Sequence, residues 1–200
     1  MQFTENFESS RCFFLVRLLC ICSVLLLPVP TMARESLQPL LQQLSSGGEL
    51  LIAGARVIDL PVTREFYQRN DYAPAWTYPA AVNELAAAIE QAWREGMNPA
   101  DYHRDQVASL LDGSLILEPP ARDLLLTDSL VRLTYHYALG KVDPKDYVTT
   151  WNFTRRLPRV DPVEWLTRST RDGGIGDGLD QLKPSAPAYH KLVEALARYR

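Results

Sequence analysis

Asp128, Arg132 and His136 recur at intervals of four, which puts all three on one face if the stretch is helical. An acid beside an imidazole fixes its tautomer, so Asp128 and His136 could orient a general base for a hydrolytic reaction. The same spacing also describes an intrahelical ion pair with a histidine beside it on a polar stripe, stabilising by about 0.2–0.5 kcal/mol per pair. We favour this plainer reading. His103, His136 and His190 are the only histidines, and none has a second histidine or cysteine at ligand spacing. No metal and no cofactor are expected. The run Gly173-Gly174-Ile175-Gly176-Asp177-Gly178 has neither a preceding strand nor a following Lys-Ser/Thr, so it reads as a mobile surface loop over 172–178 and not as a phosphate cradle. No serine stands in a Gly-x-Ser-x-Gly or Ser-x-x-Lys setting.

Aromatic residues offer a different chemistry. Phe66, Tyr67, Tyr72, Trp76 and Tyr78 fall within thirteen residues stiffened by Pro74 and Pro79. Such a cluster packs one helix onto another, or it stacks on sugar rings and docks a partner. Packing is the favoured reading, with Trp76, Tyr72 and Tyr78 as the binding candidates should the rings be exposed.

The elements that would position these residues are helices joined at proline-marked corners. Over Pro79 to Glu95 the apolar residues Val82, Leu85, Ala86, Ile89, Ala92 and Trp93 follow helical spacing. A second long helix over Ala121 to Leu139 is apolar on most of its circumference, which predicts the central position. Shorter helices are expected at 37–44, 62–69, 104–111, 162–169 and 187–199. Asn98-Pro99, Asp143-Pro144 and Asp161-Pro162 each combine a capping side chain with proline at the first helical position, followed by an acid. Gly96 and Gly140 precede the first two as expected left-handed C-caps. With almost no two-residue alternation, the fold class is all-α, an irregular or orthogonal helical bundle.

Composition narrows the class. The 200 residues are 46% hydrophobic and 22% charged with a net charge of -3, too apolar for disorder and without the basic footprint of a nucleic-acid partner. The run Leu18 to Leu27 carries no charge and is too short to span a bilayer, and Pro28, Pro30 and the small residues near Ala33 follow it. We read 1–33 as a signal peptide cleaved after Ala33, with a retained membrane anchor as the alternative. Export to the periplasm follows. Cys12, Cys20 and Cys22, the only cysteines, all lie in this segment. Residues 34–200 therefore hold no disulfide and no thiol nucleophile.

The stretch from Glu65 to Trp76, EFYQRNDYAPAW, followed after the long helix by Gly96-Met97-Asn98-Pro99-Ala100-Asp101-Tyr102-His103, resembles the N-terminal scaffold domain of large bacterial L,D-transpeptidases. Leu126-Thr127-Asp128, Gly140-Lys141-Val142-Asp143-Pro144 and the Leu182 to Arg200 segment extend the likeness. It implies an exported helical domain attached to an enzyme that cross-links peptidoglycan stem peptides through a catalytic cysteine. That cysteine motif is absent here. The division expected is 1–33 signal peptide, 34–59 N-terminal segment with a short helix and 60–200 scaffold domain. The implied partners are catalytic and peptidoglycan-binding domains, in cis or in trans, and peptidoglycan itself. An autonomous peptidoglycan-binding module is the alternative.

Overall fold

In the computed structural model the described residues are 36–150 and 160–200. The expected signal peptide, its cleavage point and the three cysteines lie outside them.

Among the described residues there are eight α-helices and one hairpin, in the order α1 (Gln38–Ser45), β1 (Leu50–Ile52), β2 (Ala55–Val57), α2 (Pro61–Arg69), α3 (Pro79–Gln91), α4 (Arg104–Asp112), α5 (Pro119–Leu139), α6 (Pro162–Asp172), α7 (Ile175–Asp180) and α8 (Pro187–Arg198). The all-α class stands. Six of the helices carry proline in the first two positions, where its missing N–H removes a donor that would have no partner. Single turns of 3-10 helix at Ala92–Glu95, Pro99–Tyr102 and Pro144–Asp146 make the corners.

All three Asn/Asp-Pro starts are caps. Asn98, Asp143 and Asp161 each accept from the backbone N–H two residues on. The first two open only a 3-10 turn. Gly96 is the left-handed cap expected after α3, whereas Gly140, at φ 78° and ψ 156°, leaves the helix extended and is not such a cap.

Two expectations need correction. Residues 50–57 form an antiparallel hairpin, pairing Leu50 with Val57 and Ile52 with Ala55. Its turn places Ala53 and Gly54 at positive φ, the geometry that matches strand twist. The alternation was hidden because Leu51, which points outward, is as apolar as its buried neighbours Leu50 and Ile52. The glycine run is the second correction: only Gly173 and Gly174 are loop, and α7 begins at Ile175.

The core centres on α5, where every residue from Asp123 to Val131 is buried. It receives α2, α3, β2 and the Pro99–Tyr102 turn, while α3 also packs on α4, α6 and α7. Leu37, Leu41 and Leu44 of the first helical segment belong to the same core as Phe66, Tyr67, Leu85 and Leu130. Each fully buried leucine contributes about 2 kcal/mol. Among the described residues no helix is long and apolar enough to cross a membrane.

Candidate functional site

A helix buried on all sides has no water to solvate its polar side chains, so each of them must find a partner inside the protein. On α5 these are Asp123, Thr127, Asp128 and Ser129, the last of which donates to the Leu125 carbonyl within the helix. Asp123 accepts from the backbone N–H of Ala75 at 2.9 Å, from that of Trp76 at 2.9 Å and from the Tyr67 hydroxyl at 2.8 Å. Burial raises its pKa against the opposing pull of these donors. Thr127 Oγ1 lies 2.7 Å from the same hydroxyl and accepts from Trp76 Nε1 at 2.9 Å. The aromatic segment is thus stitched to the central helix. Trp76 is only 7% exposed, with its one polar atom satisfied in the core, while Tyr72 is half-buried and Tyr78 is 41% exposed. The three aromatic candidates do not share one exposed face.

Asp128 gathers donors from three parts of the chain. His103 Nε2 and Arg132 Nε both donate to its Oδ2 at 2.6 Å, and the backbone N–H of Ile58 donates to Oδ1 at 3.0 Å. Arg132 also donates to the Arg56 carbonyl, which fastens the hairpin. The Asp128–Arg132 pair expected from spacing is present, but the histidine beside Asp128 is His103 and not His136. Eight helical residues span about 12 Å, too far for Asp128 and His136 to touch. His136 instead shares a hydrogen bond with the Tyr102 hydroxyl, 2.8 Å from Nδ1, and that hydroxyl donates to Met97 Sδ at 3.0 Å. Burial, helped by the positive charge of Lys141, lowers the His136 pKa below 6.5.

An acid–imidazole pair with this geometry would be a general base in an open cleft. Here His103 is 6% and Asp128 0% exposed, so no substrate atom reaches them. Their work is to hold the hairpin, the His103 corner and α5 in register. His103 adopts a left-handed φ of 57° between the Pro99–Tyr102 turn and α4, and its bond to Asp128 fixes that unusual conformation. Sequence pattern gave no sign of Asp123, Thr127 or His103 as members of the network, although two carboxylates inside an apolar helix are a signal that could have found the first.

A polar cleft of about 600 Å³ opens between α3, the end of α5 and α7, lined by Glu84, Arg94, Glu95, Asp177, Asp180 and Lys183 among others. Its carboxylates are largely engaged. Glu84 accepts from the N–H groups of Gly174 and Ile175 at 2.7 and 2.9 Å, capping α7. Glu95 binds Lys183 at 2.7 Å and accepts from the Tyr189 hydroxyl, joining α8 to the corner after α3. Among the described residues no three His, Cys, Asp or Glu side chains could hold a metal ion.

No curated protein and no solved structure matches this chain. A family model described as a Scaffold domain matches residues 61–196, from the start of α2 into the last turn of α8. That span takes in the central helix and the partners of its polar side chains other than Arg56 and Ile58 at the hairpin, and it is more than half of the chain, which therefore belongs to the Scaffold domain family.

Proposed function

We propose that this chain is the non-catalytic helical scaffold of an exported L,D-transpeptidase, supporting the cross-linking of peptidoglycan stem peptides in the periplasm. The observation that carries the reading is the Scaffold-domain match over residues 61–196. The motifs from Glu65 to Trp76 and from Gly96 to His103 lie inside that span. Internal wiring supports it too: the polar groups of the central helix are used to fix backbone segments, as a support requires, and not to face a substrate. Residues 34–200 hold no cysteine, so the acyl-forming thiol belongs to a catalytic domain acting in cis or in trans. Peptidoglycan-binding and catalytic domains are its partners.

In-frame removal of codons 61–196 in the host should deplete the cross-links between diaminopimelate residues in the muropeptide profile, and re-expression should restore them. Unchanged cross-links would sink the reading. A sacculus pull-down addresses the module alternative. Trp76→Ala would empty core volume, so the useful variant is Tyr78→Ala at an exposed ring. Saturable binding that this variant abolishes would favour a glycan-binding module instead.

A further inference from the structure

Where α6 and α7 meet the end of α5 there is a small cavity of about 150 Å³. Ala138, Pro162 and Leu182 give it apolar walls, and Trp165, Arg168 and Gln181 supply donors. Trp165 is 8% exposed, and its Nε1 edge lies so close to Gly178 that a Cβ built there would come within 2.9 Å of the nitrogen. Both residues line the cavity, so the indole N–H sits at its wall. Buried indole N–H groups find an acceptor. Trp76 obeys this rule through Thr127, whereas nothing among the described residues accepts from Trp165 Nε1, which is not one of the fully buried atoms left without a partner and so is open on the cavity side. Arg168, three residues along α6, is exposed and likewise has no carboxylate partner among the described residues, whereas Arg69 and Arg104 are both paired.

Two unspent donors, one of them cationic, at the mouth of an apolar hollow match an anion carried on an aliphatic group. The volume admits one branched side chain, which excludes a long acyl tail. We propose that this cavity binds the C-terminal residue of a peptide with a small aliphatic side chain. The carboxylate accepts from Trp165 Nε1 and the Arg168 guanidinium, the side chain fills the hollow against Ala138, Pro162 and Leu182, and the Gln181 amide meets the preceding peptide group.

The test is a titration of the ¹⁵N-labelled full chain with N-acetyl-glycyl-valine, its C-terminal amide and isovalerate. The chain has four tryptophans, and the Trp165 indole peak is identified by its loss in Trp165→Phe. A saturable downfield shift of that peak by the acid peptide is expected, with the amide weaker by about tenfold. Arg168→Gln, at an exposed position that leaves the fold intact, should weaken the acid peptide by about the same factor. Absence of a shift in every one of the indole peaks, or equal binding of acid and amide, overturns the proposal whether or not Trp165→Phe folds. Isovalerate binding as tightly as the peptide overturns the peptide occupant and leaves a site for free short-chain acids.

Discussion

His136 lies between the Tyr102 hydroxyl and the charges of Lys141 and Arg132, and its pKa is lowered chiefly by burial. The folded chain therefore binds this proton more weakly than the unfolded chain does. The stabilisation from the neutral ring is whole above the unfolded value of about 6.5 and is lost as pH falls through the lower folded value. We expect the urea-unfolding free energy to decline as pH drops below about 6.5, and His136→Gln to flatten that decline. A profile equally steep in the variant would assign the effect to other groups. At this scale the sequence was partly readable. Spacing alone found the Asp128–Arg132 pair, a contact within one helix, but His103 reaches Asp128 only because a corner folds back across 25 residues.

Elements show the same division. The helices that proline and Asn/Asp announce were found with ends displaced by at most a few residues, because their starting signals are local. α7 was missed because its six residues include Gly176 and Gly178, which weaken a helix this short. What holds it comes from 90 residues away, where Glu84 accepts from the N–H groups of Gly174, just before the helix, and of Ile175, its first residue, and from burial of Ile175 and Leu179. Gly173 belongs to the same device. Its φ is +81° and a Cβ there would lie 2.7 Å from Glu84 Oε1, so any other residue would strain the backbone and push the Glu84 carboxylate aside. Glu84→Ala should speed amide exchange at Gly178 and Gln181, which close the α7 turns, by about tenfold while exchange in α5 stays unchanged. Equal protection would show that the two apolar side chains suffice.

For the molecule as a whole, Asp128 is the point where the hairpin, the His103 corner and the central helix are joined. Removing it leaves the Ile58 N–H, the buried His103 and Arg132 without this acceptor. Asp128→Ala should cost about 3–5 kcal/mol, a large part of the roughly 5–15 kcal/mol that holds a typical domain together. Urea unfolding followed by circular dichroism should show the midpoint falling with the slope preserved, and a loss under about 1 kcal/mol would mean that the three donors find water. The ties to α5 also have a temporal side. Ile58, Tyr67 and Ala75 wait for partners 70, 60 and 48 residues further along the chain. As synthesis proceeds from the N-terminus, residues 36–76 cannot close until Asp123 through Asp128 have emerged. Through that interval Leu37, Phe66 and Tyr67 stay uncovered, and its length is set by where α5 lies in the chain.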